Sequence, residues 1–294
     1  MKASIQNYFD RSRQLTVKNK VYADLCLVLW DFFVESDRAH HDATSAVLLA
    51  NSSTTVYVVS NESGIIAGIE EIEYLLRKRT KLQVKALIKD GAKIKKRTKI
   101  LKITGSVKEI LQLERTILNI LQRMSGIASL TDKMVKMAGK TAIAATRKTY
   151  WGLLDKKAVA VGGGLTHRLD LSDGVLIKDN HIDITTRKNS LSRIEAIKKI
   201  VTQVRESLFE LEVANEREAL VTKVPIIMLD NFSVSQAKKT IQKIKKRNPS
   251  TIIELSGGIT EENLKEYANV GAHVISLGAL THSAPALNLT LSMG

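Results

Sequence analysis

The chain has 294 residues, 44% of them hydrophobic, enough for one large domain or two modest ones. A single cysteine, Cys26, excludes a disulfide framework, and no apolar run is long enough to span a bilayer. The formal net charge of +15 points to a nucleic acid, a small polyanionic substrate or solvated basic helix faces, while aromatics at 4% leave no evident stacking platform for single strands.

The N-terminus, MKASIQNYFD, lacks the basic-then-apolar layout of a secretory signal, which with the lone cysteine predicts a cytoplasmic protein. Leu25 to Trp30 is the most apolar early run; it stops at Asp31 and reads as core, with Cys26 a small buried thiol. His40-His41-Asp42 has the look of a metal cluster but no further ligand at useful spacing, so it reads as a structural loop. The segment VKALIKDGAKIKKRTKILKITGSV alternates at strand period around Asp90-Gly91 and Lys96-Arg97, which predicts antiparallel β-structure with tight turns. Leu111 to Met124 has the spacing of an amphipathic helix.

After residue 140 the pattern changes. Short apolar runs recur, each ending in polar, charged or glycine residues: TAIAA before Thr146-Arg147-Lys148, GVLI before Lys178, LFEL before Glu212, PIIML before Asp230-Asn231, TIIEL before Ser256-Gly257-Gly258, and HVISL before Gly278. Helix-period stretches separate most of them. In AKKTIQKIKKRNPS, for instance, Ile241 and Ile244 face inward and the lysines outward. Continuous apolar strands alternating with helices predict a parallel sheet buried on both faces, as a closed or nearly closed α/β barrel or a doubly wound open sheet. The barrel is favoured, because barrel sites form where several strands end, and here nearly every run delivers a functional group at that edge.

Arg115, Arg147, Lys148, His167, Arg168 and Lys178 form a basic set. Arginine's planar fork suits carboxylates and phosphates, and lysine acts as a point charge. Cations converging on one barrel mouth repel one another unless an anion normally sits there, so the site is read as one for a highly anionic ligand. Ser256-Gly257-Gly258 and Ser276-Leu277-Gly278 follow the last two strands, where exposed backbone N–H groups and helix N-termini bind phosphate. Gly162-Gly163-Gly164, ahead of Thr166-His167-Arg168, lets the backbone turn sharply or approach a ligand. Glu212 and Asp230 suggest Mg²⁺ held partly by substrate phosphates, or acceptors for ribose hydroxyls.

With these residues assembled, the chain resembles the quinolinate phosphoribosyltransferase family. The likeness rests on GIIAGIEEIEYLL, LERTILNILQRMSGIAS, TRKTYWGLL, AVAVGGGLTHRLDLSDGVLIKDNHI, LEVAN, IMLDN and ELSGGITEENLKEYANVGAHVISLGALTHSAPALNLTL, which together span nearly the whole chain. The resemblance implies an N-terminal α/β sandwich over residues 1–116, joined by 286–294, and an open α/β barrel over 117–285 carrying the site. It implies a homodimer, or a larger assembly built from it, in which Arg115 reaches the partner's site. Arg147, His167, Arg168 and Lys178 would hold quinolinate. Lys148, Glu212, Asp230, Ser256 to Gly258 and Ser276 to Gly278 would hold phosphoribosyl pyrophosphate with Mg²⁺, which has no assigned direct protein ligand. No nucleic acid and no membrane is expected as a partner.

The implied reaction needs no covalent nucleophile. Pyrophosphate loss builds oxocarbenium character at ribose C1, where Mg²⁺, Lys148 and Lys178 would stabilise the departing charge. The pyridine nitrogen attacks C1, and the resulting cation accepts the electrons released as CO₂ leaves. Glu212 and Asp230 complete the expected catalytic set, and Lys148 is the candidate proton donor. Rival readings are a relative acting on another anionic base, and a nucleic-acid-binding or inactive paralogue on the same fold. One departure stands out: after TRKT the family reads a residue, then Pro-Gly-Leu-Arg, where this chain has Tyr150-Trp151-Gly152-Leu153-Leu154. Two large aromatics there would either wall the pyridine pocket or pack against a neighbouring loop. Around Arg38 to Thr44 only Asp42 and Thr44 of the usual Gly-Asp-x-Thr are kept.

Overall fold

A computed structural model describes residues 2–293, with side chains from Ile5 onward. In chain order the elements are α1 (Lys2–Phe9), α2 (Lys20–Ser36), α3 (Ala43–Leu48), β1 (Ser53–Ser60), β2 (Gly64–Ile65), α4 (Ile69–Arg79), β3 (Gln83–Ala86), β4 (Lys93–Ile94), β5 (Lys99–Ser106) and α5 (Val107–Ala138). There follow β6 (Ala142–Ala145), α6 (Leu153–Val161), β7 (Val175–Ile177), α7 (Asp179–Asn189), α8 (Arg193–Gln203), β8 (Phe209–Val213), α9 (Glu216–Ala219) and β9 (Ile226–Asp230). The last are α10 (Val234–Arg247), β10 (Ile252–Ser256), α11 (Leu264–Ala268), β11 (Val274–Leu277), α12 (Ala279–His282) and β12 (Leu289–Met293). No helix among the described residues is long and apolar enough to cross a membrane.

The chain forms two compact units. The first comprises residues 1–11, 133–147 and 164–279; the second comprises 12–132, 148–163 and 280–294. The first is built on a six-stranded parallel sheet in the order β6-β11-β10-β9-β8-β7. Each of the six apolar runs after residue 140 supplies one of these strands. Leu165 extends the sheet past β6 by a parallel bridge to Ala144, and no ladder joins β6 to β7 among the described residues, so the barrel is open. α1 occupies this opening. The Phe9 carbonyl accepts from the Thr166 and His167 amides at 2.9 Å each, and the Tyr8 hydroxyl donates to the Val175 carbonyl on β7 at 3.0 Å. Tyr8 and Phe9 pack with Ala144, Leu165, Ile226, Ile252 and Val274 in one apolar cluster.

This differs from the expected division into 1–116 and 117–285, because residues 1–11 belong with the barrel and residues 117–132, 148–163 and 280–285 with the second unit. Missing strands leave interior volume, and burying each of these aromatics there contributes roughly 1.5–3 kcal/mol. α10 has the expected polarity: Ile241 and Ile244 are buried, while Lys238, Lys239, Lys243 and Lys246 are exposed.

The second unit carries an antiparallel sheet in the order β12-β1-β5-β3, with β2 and β4 as a separate pair. The turns foreseen around Asp90-Gly91 and Lys96-Arg97 are present, with Gly91 and Arg97 both at positive φ. α2 corrects the reading of Leu25 to Trp30 as core. Cys26 and Trp30 are buried, but Leu25 and Val28 face solvent, because a helix presents successive residues to different sides. His40 and His41 lie in a 3-10 turn, Ala39–His41, rather than a loop, and Asp42 is the N-cap of α3, accepting from the Thr44 and Ser45 amides at 3.1 Å.

α5 explains the small residues in its RMSGIAS stretch. Ser125 Oγ accepts from the Ala67 amide at 3.0 Å and Ser129 Oγ from the Ile65 amide at 2.8 Å. Between them, a Cβ on Gly126 would lie 2.0 Å from the Pro285 carbonyl oxygen. At an open helical position Gly→Ala gains about 1 kcal/mol. Gly126→Ala is expected instead to lose about 1–3 kcal/mol, since the obstacle is backbone. Urea unfolding at constant m-value measures this; equal or greater stability would mean that the segment around Pro285 yields.

Candidate active site

The parallel register brings the six strand ends to one edge. Ser256 pairs with Asp230, Glu212 with Met228, Ser276 with Ala144 and Leu277 with Ala145. Thr146-Arg147-Lys148 therefore leaves β6, and Lys178 leaves β7, on the side that presents Glu212, Asp230, Ser256 and Gly278. Arg147, Lys148 and Lys178 are exposed, Arg168 is half-buried, and Arg115 is exposed on α5 in the other unit.

Lys178 Nζ stands 4.0 Å from Glu212 Oε2. Burial holds the Glu212 carboxyl above the usual range; the Lys178 charge opposes this, and Asp230 adds to it. Lys178 is also the N-cap of α7, its amide donating to His181 Nδ1 at 2.9 Å. Arg193 then clamps the start of α7 to α9 through Asp179 and Glu218, 2.9 Å each, and Asp183.

The Asp230 and Ser256 ends interlock. Asn231 donates from its amide to the Ser256 carbonyl (2.9 Å) and from Nδ2 to Asp230 Oδ2 (2.6 Å). A Cβ on Gly257 would lie 2.3 Å from Asn231 Oδ1, and Gly257 has φ +84°, so glycine is required there. The glycine segments correct one expectation, because neither leads into a long helix. α11 begins only at Leu264, and α12 is a four-residue turn. What they offer a phosphate is backbone N–H groups at a turn. Leu277 is buried and contributes backbone alone. Gly162 serves packing, since its Cβ would lie 2.4 Å from the Ala128 carbonyl oxygen, whereas Gly163 turns at φ +88°.

His167 is buried. Its Nε2 lies 3.1 Å from Glu210 Oε2, and its ring packs on Tyr8 (4.5 Å between centroids) and Phe9 (4.9 Å). Arg168 donates to the Gly174 carbonyl at 3.2 Å, and Arg11 pairs with Asp173 at 2.9 Å, fixing the loop between them. Among the described residues no group of three His, Cys, Asp or Glu side chains could hold a metal ion unaided.

The Tyr150-Trp151 question has a structural answer. The Trp151 ring packs on Phe33 at 4.9 Å and on the Arg123 guanidinium at 5.1 Å; Tyr150 is exposed and covers the same guanidinium at 5.3 Å. Arg123 forms a two-pronged bond with fully buried Asp155 (2.8 and 2.7 Å), and Asp155 accepts from the Tyr150 and Trp151 amides at 2.9 and 3.1 Å. These are packing contacts within the second unit.

Sequence reasoning missed Glu210, Glu254, Tyr8, Asp155 and Arg123. The two glutamates had a signal, a carboxylate inside an otherwise apolar run. The others depend on contacts remote in sequence.

Fold and edge together define an open α/β barrel with cationic side chains at its strand ends. The sequence matches the description "Quinolinate phosphoribosyl transferase, C-terminal domain" over residues 127–292 and its N-terminal domain counterpart over 42–125. It is 39% identical over 285 residues to the probable nicotinate-nucleotide pyrophosphorylase (carboxylating) of Methanocaldococcus jannaschii, covering 92% of this chain and 98% of that one. Two solved nicotinate-nucleotide pyrophosphorylases are similar in structure. That of Ehrlichia chaffeensis has a TM-score of 0.82 at 30% identity, covering 90% of this chain and 97% of that one. That of Francisella tularensis has 0.80 at 31%, covering 92% and 96%. The chain belongs to the quinolinate phosphoribosyl transferase family.

Since Trp151 packs on Phe33, Trp151→Ala is expected to cost on the order of 2 kcal/mol of stability and to lower the melting temperature, with quinolinate affinity near normal. Calorimetric unfolding and titration check the pair; lost affinity at full stability would restore the pocket-wall reading.

Proposed function

We propose that this chain transfers the phosphoribosyl group of phosphoribosyl pyrophosphate to quinolinate with decarboxylation, giving nicotinate mononucleotide, CO₂ and pyrophosphate. The observation that carries the reading is the gathering of Arg147, Lys178, Glu212, Asp230, Ser256 and Gly278 at one edge of a parallel sheet, in a chain of this family. The guanidinium forks of Arg147 and Arg168 suit the two carboxylates of quinolinate. The Gly257 and Gly258 backbone and Lys148 suit phosphate oxygens, and Glu212 and Asp230 are placed to accept from ribose hydroxyls.

Catalysis is then positioning and electrostatics. Holding the pyridine nitrogen against ribose C1 makes the attack effectively unimolecular. Lys148 and Lys178 stabilise charge on the departing pyrophosphate. Mg²⁺ held through the pyrophosphate oxygens, with Glu212 and Asp230 at the same strand edge, would neutralise part of that charge. Lys148 remains the candidate donor of the proton that replaces CO₂. The first test is direct: protein with quinolinate, phosphoribosyl pyrophosphate and Mg²⁺ should release CO₂ and form nicotinate mononucleotide, and turnover with nicotinate alone would overturn the substrate assignment.

The reading extends to a cytoplasmic homodimer in which Arg115 completes the partner's site. Two features support it. The exposed apolar stripe Val21, Leu25, Val28 and Phe32 on α2 suits an assembling chain, and the lone thiol, Cys26, is inert, pushed up to about 12 chiefly by burial. Arg115→Ala and Lys178→Ala enzymes, each nearly inactive, should recover activity when mixed under subunit exchange, since one site of the heterodimer escapes both changes. Failure to recover, with exchange verified by mass, would assign Arg115 to its own subunit's site.

A further inference from the structure

β8 and β10 each place a glutamate one inward-facing layer below the catalytic edge, Glu210 two residues before Glu212 and Glu254 two before Ser256. Barrel interiors are ordinarily filled by branched apolar side chains. Here both carboxyls are almost completely excluded from water, and they hydrogen-bond to each other. Burying two carboxyls costs several kcal/mol unless they are paired or protonated. Apolar residues of similar volume would stabilise the barrel better, so this polar layer calls for a purpose beyond stability.

Its connections indicate one. Glu210 Oε2 meets His167 Nε2 at 3.1 Å, and Glu254 bonds to Ser276, which precedes the Leu277-Gly278 turn. Tyr8 and Phe9 pack on the imidazole and restrict its plane, and the backbone amide of His167 is held by the Phe9 carbonyl. Burial raises both carboxyls above their ordinary range. For Glu254 the neighbouring Glu210 adds to the rise; for Glu210 the bond from Glu254 and the charges of Arg168 and Lys178 oppose it, while Glu212 favours it.

We propose that Glu210 is a positioning residue of the phosphoribosyl transfer: with Glu254 as the brace behind it, its carboxyl accepts from His167 Nε2, keeps a proton on that nitrogen and fixes the ring beneath the pyridine-carboxylate site. A carboxylate beside Nε2 sets which ring nitrogen carries the proton and holds the ring in one orientation. The inference rests on the quinolinate reading for its consequence, and on this chain's own contacts for its geometry.

The test joins ¹⁵N NMR of histidine-labelled full-length enzyme to steady-state kinetics. The His167 signal, assigned by its loss in His167→Asn, is expected to show a proton on Nε2 before any substrate is added. In Glu210→Gln that signal should shift, and KM for quinolinate should rise by about tenfold or more, the scale of losing a hydrogen bond to a charged group. KM for phosphoribosyl pyrophosphate should stay within about twofold, because glycine amides and Lys148 are untouched. Glu254→Leu should raise the quinolinate KM likewise, and Glu254→Gln, whose amide still donates to Glu210, should raise it less. An Nε2 without a proton in the wild type, or an unchanged quinolinate KM in a folded Glu210→Gln enzyme, overturns the proposal. If Glu210→Gln does not fold, the wild-type NMR result still decides. A wild type inactive with quinolinate would sink the substrate reading, whereas the protonation state of Nε2 is read without substrate.

Discussion

The barrel's open seam is the constraint on which the rest of the first unit depends. Parallel strands have unsatisfied edges, and the two strands at this seam do not pair with each other. α1 resolves it through two adjacent residues: the Phe9 carbonyl takes two amides on the β6 side, the Tyr8 hydroxyl reaches β7, and both rings fill the interior. His167 lies on the segment so anchored. The side chain at the floor of the site is thus held by the first turns of the chain and by strand β8, elements separated by about two-thirds of the sequence.

Charge is distributed in layers above that seam. Exposed cations crown the strand ends, half-buried Glu212 and Asp230 lie among them, and the fully buried Glu210–Glu254 pair sits beneath. The same carboxyl group has different worth at each depth. An exposed pair such as Lys20–Asp24 adds little, while breaking a buried pair by removing a single partner costs about 3–5 kcal/mol. By that scale the rigid contacts are Arg123–Asp155 in one unit and the glutamate layer in the other. The crown is left adaptable, as befits groups that must meet a ligand.

These layers also account for what could be read from sequence. Strands buried on both faces must be continuous apolar runs, so all six were visible, and with them the edge where Lys178, Asp230 and Ser256 stand. Local turn chemistry exposed the hairpin region around Asp90-Gly91. The assignment of Tyr8 and Phe9 to the barrel was hidden, because an aromatic pair near a terminus looks the same whichever core it enters. Leu25 and Val28 misled for a related reason: an apolar run on a helix feeds two faces, and only one is covered here. Glu210 and Glu254 were legible as oddities, yet whether they met each other depended on the register of β8 and β10 through β9.

The Tyr150-Trp151 substitution can be understood in the same physical language. A Pro-Gly turn sets its direction by fixing φ within the chain itself. This chain sets the direction from outside. Asp155, in the first turn of α6, accepts from the amides of both residue 150 and residue 151, and Arg123 neutralises it from α5. Proline at 151 has no N–H to give, so it would remove one of these bonds while leaving Asp155 buried. The aromatics then cover the face of the guanidinium, and Trp151 closes against Phe33. At Gly152 the backbone, φ 55° and ψ −119°, suits a residue without a side chain. The loop that follows Arg147 and Lys148 is therefore kept rigid by an ion pair and two rings rather than by a pyrrolidine. Asp155, Arg123, Tyr150, Trp151 and Phe33 form one contact network, so substitutions among them are expected to be non-additive.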